Sequence, residues 1–171
     1  MVGENVFLRA MEPADLQILY EWENAADNWT VSNTTAPFSK HILQKFIETS
    51  SQDIYVNRQL RLMVGEKASK KTVGAVDVFD FEPGNRRAGV GILIDPAFRC
   101  RGYGLESILL LKSYLFDIVK VHQIFCNIMK NNPASLRLFQ RAGFEICGVK
   151  KDWVLTESGF IDEYILQCIK Q

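Results

Sequence analysis

Short apolar runs alternate along the chain with longer segments in which apolar residues return every three or four positions. The short runs predict strands: Asn5 to Ala10, Leu60 to Glu66, Thr72 to Phe81, Ala88 to Asp95, the run QIFCNIM, Phe144 to Val149 and Phe160 to Ile169. The polar stretches KASKK and EPGNR separate Leu60–Glu66, Thr72–Phe81 and Ala88–Asp95, so these neighbours are expected to pair as antiparallel hairpins. The longer segments predict helices. Pro13 opens one that carries Leu16, Leu19, Tyr20 and Trp22, and Ser39 caps another that runs through Ile42, Leu43, Phe46 and Ile47 to about Thr49. A long helix is expected from about Leu105 to Lys120, and Asn132-Pro133 starts a further one that stops before Gly143. The order of elements reads as α/β: a single twisted mixed, mostly antiparallel sheet flanked by helices, one domain over residues 1–171.

Composition changes this picture little but excludes several functions. With 171 residues, 47% of them hydrophobic, the chain can build its core without metal or disulfide support. Lys+Arg and Asp+Glu are both 20, so no global field draws it to nucleic acid or to an anionic membrane. Cys100, Cys126, Cys147 and Cys168 form no CxxC pair, which argues against a metal site and for buried or inert thiols in a reducing cytosol. No export signal or membrane span is visible, and a cytoplasmic protein is expected. His41 and His122 have neither nucleophile nor metal context.

The candidate chemistry lies where a strand meets the long helix. The stretch RCRGYG, Arg99 to Gly104, puts two glycines and two arginines at a helix start. Such a start carries unpartnered N–H groups and a partial positive charge, and glycine lets an anion approach closely. An ordinary glycine turn is the alternative. A P-loop would need a lysine followed by Ser or Thr, and a dinucleotide fingerprint would need a third glycine where Ser107 stands.

RCRGYG resembles the R/Q-x-x-G-x-G/A pyrophosphate loop of the GNAT superfamily of acetyl-CoA-dependent N-acetyltransferases. NPASLRLFQRAGF resembles that family's second signature through Asn132, Ser135, Gly143 and Phe144. The N-terminal VFLRAMEPADLQILYEW and the C-terminal GFIDEYIL are similar to the subgroup of spermidine/diamine and ribosomal-protein N-terminal acetyltransferases. The resemblance implies acetyl-CoA as co-substrate, with Arg99, Cys100, Arg101, Gly102, Tyr103 and Gly104 around its pyrophosphate. It also implies that Gly91, Ile92, Leu93 and Ile94 splay from the strand Ile124 to Met129 to meet pantetheine, with Asn132 and Ser135 alongside.

The same resemblance frames the catalytic expectations. Many members protonate the leaving thiolate with a tyrosine where this chain has Phe139, so Ser135 is the candidate acid, with an ordinary first-turn serine as the alternative. A family-typical glutamate is missing from RRAGVGILI, which leaves Glu82 or Asp80 as candidate base, unless each is simply a solvated charge. On the alternation of GAVDVFDFE, Asp77, Phe79 and Phe81 share one face, with Asp80 and Glu82 on the other. Glu23 and Trp29, with Glu21 and Asp27 nearby, fall where the family binds its acceptor, and Asp80 and Glu82 complete the candidate substrate site. Acids clustered in two segments of a chain with zero net charge favour a small-molecule di- or polyamine such as spermidine. A peptide N-terminus and a non-catalytic acyl-CoA-binding module are the alternatives, and a homo-oligomer stays open.

Overall fold

The computed structural model describes residues 1–26, 28, 29, 34–50 and 53–170. Strands β1 (Val6–Ala10), β2 (Leu60–Glu66), β3 (Thr72–Glu82), β4 (Arg87–Ile94), β5 (Gln123–Met129), β6 (Glu145–Thr156) and β7 (Gly159–Ile169) form one sheet in the order β1-β2-β3-β4-β5-β7-β6. Every neighbouring pair is antiparallel except β4 with β5. The expected mixed, mostly antiparallel sheet is what the sequence folds into.

Helices cover both faces. A 3₁₀ turn, Pro13–Asp15, leads into α1 (Leu16–Glu23). The Ser39 side chain caps α2 (Lys40–Thr49) by accepting from the Ile42 N–H. A short helix α3 (Ile54–Asn57), not foreseen from the sequence, precedes β2. The helix α4 (Tyr103–Ser113) continues into a π-helical turn, Tyr114–Ile118, and α5 (Pro133–Arg141) starts at an Asn132 cap. Ile108, Leu111, Leu115 and Phe139 from α4, its π turn and α5 pack on Val76 and Val78 of one sheet face. Leu19, Trp22, Leu43 and Ile47 from α1 and α2 pack on Met63 and Ala75 of the other. Burying one such side chain contributes roughly 1.5–3 kcal/mol, so these two layers fix the sheet between them. No helix among the described residues is long and apolar enough to cross a membrane.

Three expectations need correction, and a fourth divides between its alternatives. The helix starts at Tyr103 rather than near Leu105, because Gly102 takes a left-handed conformation (φ 84°) and serves as its N-cap. The penultimate strand runs on to Thr156: the polar KKDW stretch is a bulge, with Asp152 at φ 49° and a register shift between Lys150 and Val154, inside one strand. Phe81 leaves the face of Asp77 and Phe79. Asp80 adopts φ 47° where the β3–β4 register shifts, which turns Phe81 into the core of Val76 and Val78. Only Cys126 and Cys168 are buried, whereas Cys100 and Cys147 are exposed.

Candidate functional site

The sheet parts in its middle. Only Arg87, Ala88 and Gly89 of β4 pair with β5, through Gln123, Ile124 and Phe125. Beyond that point β4 stays with β3 through Gly91↔Asp77, Ile92↔Val76, Leu93↔Ala75 and Ile94↔Gly74, while β5 stays with β7 as far as Met129↔Glu163. Gly91, Ile92, Leu93 and Ile94 therefore form one lip of a gap, and on that side their backbone polar groups have no ladder partner among the described residues.

The glycine loop hangs from the end of that lip. Asp95 follows β4 and accepts from the Ala97 N–H (2.9 Å), capping a 3₁₀ turn, Pro96–Phe98. The chain then passes through Arg99, Cys100 (φ 63°) and Gly102 into α4. Among the described residues no side chain caps the α4 start, and a Cβ at Gly102 would meet nothing within 4 Å, so among them the space before its first N–H groups is open. Gly104 differs: a Cβ there would lie 2.7 Å from Leu138 Cδ1, so this glycine lets α5 pack close. Arg99 turns back to donate from Nε to the Ile94 carbonyl (2.9 Å), and Arg101 donates to the Ala97 carbonyl (3.2 Å) and lies over the Phe98 ring. The Tyr103 hydroxyl donates to Glu66 at the end of β2, which commits that side chain to structure. Hydroxyls of Ser69 and Tyr103 hold the Glu66 carboxyl below its usual pKa.

Across the gap, Asn132 Oδ1 accepts from the Ser135 N–H (3.1 Å) at the start of α5, and Ser135 is half-buried. Phe139, one helical turn on, is 3% exposed and meets Phe144 edge to face at 5.1 Å.

The acids do not gather as expected. Glu82 pairs with Arg87 (2.6 Å) and accepts from Asn85, at the end of β4 that is joined to β5. From Arg87 to Gly91 the strand rises about 13 Å. Exposed Asp80 sits on the bulge next to Phe79, which pairs with Gly89 where the sheet parts. Glu23 and Asp77 converge instead on Arg61 of β2. Arg61 Nε donates to Asp77 Oδ1 (2.6 Å), its Nη2 donates to Oδ2 (3.1 Å), and its Nη1 pairs with Glu23. Asp77 stands opposite Gly91, whose missing side chain leaves the slot beside that carboxylate open. Burial would lower the Arg61 pKa, but Asp77 and Glu23 outweigh burial and raise it. Two carboxylates and one guanidinium leave one net negative charge at the gap. Trp29 Nε1 donates to the Glu23 carbonyl (2.8 Å), Glu21 is exposed, and Asp27 lies outside the described residues. Sequence reasoning missed Arg61 and Asp95; the one available signal was a charge inside the apolar run LRLMV.

A helix start open to an anion, beside a strand lip whose backbone groups have no ladder partner on one side, suits an elongated ligand with phosphate at one end and amides along its length. The profile of the Acetyltransferase (GNAT) domain matches residues 5–145. The spermidine N(1)-acetyltransferase of Vibrio cholerae is 26% identical over 143 residues, 84% of this chain and 80% of that protein. The crystal structure of spermidine N-acetyltransferase from Vibrio cholerae with CoA and spermine superposes with a TM-score of 0.88 at 22% identity, over 98% of this chain and 96% of the other. A dodecameric structure of the Vibrio cholerae enzyme superposes with a TM-score of 0.79 at 21% identity, over 98% and 95% of the two chains. With a sheet that parts beside an open helix start and a family match over most of its length, the chain belongs to the GNAT family of acetyltransferases, which use acetyl-CoA.

Proposed function

We propose that this acetyltransferase transfers the acetyl group of acetyl-CoA to a primary amine of a diamine or polyamine such as spermidine. The parting of β4 from β5 beside the glycine-capped start of α4 is the observation that carries the reading. The N–H groups around Cys100 to Gly104 hold the pyrophosphate, Arg99 and Arg101 add charge, and the lip Ile92 to Ile94 bonds the pantetheine amides, with Asn132 facing that arm. An alkylammonium has a pKa near 10.4, so the site must take a proton before the nitrogen can attack. Glu23 and Asp77 replace Glu82 and Asp80 in this scheme. Both are bound to Arg61, which suits them to orienting the ammonium more than to abstracting its proton, so the proton leaves through water. As the nitrogen bonds to the acetyl carbon, the carbon–sulfur bond breaks, and the proton the nitrogen releases passes to the thiolate through Ser135 or through a water that Ser135 orders. A thiol of pKa near 8.5 is a good leaving group, so the lack of a hydroxyl at Phe139 is tolerable.

Several relatives act on spermidine by name, which supports the polyamine. The Arg61 charge favours a second reading, a peptide N-terminus, since one net negative charge matches one ammonium. Self-association belongs to the same proposal: one structural neighbour is dodecameric, and Trp153, Leu155 and Phe160 are exposed together at the β6–β7 hairpin. Light scattering that reads a monomer removes that part.

The test is thiol release from acetyl-CoA across diamines, polyamines, aminoglycosides, amino acids and short peptides. The expected result is the highest kcat/KM for spermidine or a related diamine, with a KM that rises with salt as screening weakens the exposed part of the pairing. Robust turnover of a peptide N-terminus with no activity on any polyamine selects the second reading, and binding of acetyl-CoA with no thiol release on any amine leaves a non-catalytic module.

A further inference from the structure

The last turn of α1 touches both halves of the gap through consecutive residues. Glu23 reaches inward to Arg61 and through it to Asp77. Trp22, 7% exposed, points its indole the other way, and Nε1 donates to Asp95 Oδ2 (3.0 Å). Asp95 is the residue from which the glycine loop hangs. Its Oδ1 accepts from Ala97 N–H (2.9 Å), its own N–H donates to the Val73 carbonyl (2.9 Å), and Arg99 and Arg101 fold back onto Ile94 and Ala97 on either side of it. A buried indole N–H needs an acceptor, and a carboxylate that serves two donors in fixed directions is held in one orientation.

We infer that Trp22 is a positioning residue for the cofactor loop: its N–H locks the Asp95 carboxylate, which sets where β4 ends and the Arg99–Gly104 turn begins. One helical turn of α1 thereby fixes the distance between the loop and the Glu23–Arg61–Asp77 cluster. The inference rests on the assignment of acetyl-CoA to this loop and is independent of which amine is acetylated.

Two substitutions break the same bond by different routes. Trp22→Phe keeps an apolar ring and removes the donor. Asp95→Ser keeps a short oxygen able to cap the Ala97 N–H and cannot reach the indole. Calorimetry with CoA and steady-state kinetics on the folded variants, checked by circular dichroism, read the effect. Each single variant should weaken CoA affinity and raise the acetyl-CoA KM by about 3- to 10-fold, with the amine KM unchanged at saturating acetyl-CoA. The double variant should be no worse than the weaker single one, since only one bond is lost. Asp95→Asn, which turns a second donor toward one of the two N–H groups, replaces whichever single variant does not fold. Wild-type CoA affinity in Asp95→Ser or Asp95→Asn overturns the inference, as do losses that multiply in the double variant. No binding of CoA by the wild-type chain overturns the loop assignment itself, and the inference with it.

Discussion

Gly102 and Gly104 stand two positions apart in the sequence and answer to different demands. Gly102 needs the left-handed region (φ 84°) and has open space where a side chain would point, whereas Gly104 keeps clear of Leu138 on another helix. A β-branched residue at Gly102 meets a backbone penalty of roughly 1–2 kcal/mol and projects carbon into the space an anion would enter. Gly102→Val is therefore expected to keep its circular dichroism spectrum while losing at least about tenfold in acetyl-CoA affinity by calorimetry; unchanged affinity in the folded variant would remove the loop from the site. Both glycines were legible in the sequence as helix-start residues. Their division of labour was not, because the Leu138 contact lies far along the chain and only the packing of α4 on α5 reveals it. Arg61 was illegible for the same reason: its partners come from α1 and β3.

At the scale of elements, periodicity located the principal strands and helices, and the polar turns predicted the β2–β3 and β3–β4 hairpins. Irregularities inside strands escaped it. The bulges at Asp80 and Asp152 use residues that read equally well as turns, and the first of them sent Phe81 to the opposite face. Helix α5 shows how an element constrains chemistry. Its Phe139 is a core residue packed edge to face on Phe144, so a hydroxyl added there enters an apolar site. Phe139→Tyr should lower stability by about 2 kcal/mol, a fall in Tm of roughly 4–8 °C, without raising kcat. Thermal melting and kinetics check it together; a stable variant with a higher kcat would show that the ring edge reaches the thiolate, and that the tyrosine chemistry can be restored.

On the scale of the whole molecule, the first strand is tied to the rest by Asp15, which is 4% exposed. Its carboxylate accepts from Arg9 at 2.6 and 2.7 Å and from the Glu12 N–H at 2.8 Å, while Arg9 also donates to Thr72 on β3. Burial alone would raise the Asp15 pKa, but these bonds and the Arg9 charge outweigh it and hold the carboxyl below its usual range. Asp162, bonded first by Lys151, is pushed down to about 2. A depressed folded-state pKa contributes stability that is complete above the unfolded value, near 3.9, and is lost as pH falls through the folded value. Denaturation curves should thus show stability falling from about pH 4 toward pH 2. Asp15→Asn should be about 2 kcal/mol less stable at pH 7 and show a shallower acid decline; an equally steep decline would place the sensitivity elsewhere. The sheet order itself, with β7 between β5 and β6, was beyond the reach of pattern reading, because strand neighbours are chosen by packing across the whole chain. That order carries a consequence at β4. A seven-stranded sheet ordinarily has two borders, here β1 and β6, open to any strand that drifts past. The parting at Gly89 and Phe125 creates two more in the interior, along β4 and along β5, between the α4 layer on one face and the α1 and α2 layer on the other. A strand edge offers its donors and acceptors at ladder spacing, so whatever lies along these interior borders must bring donors and acceptors of its own.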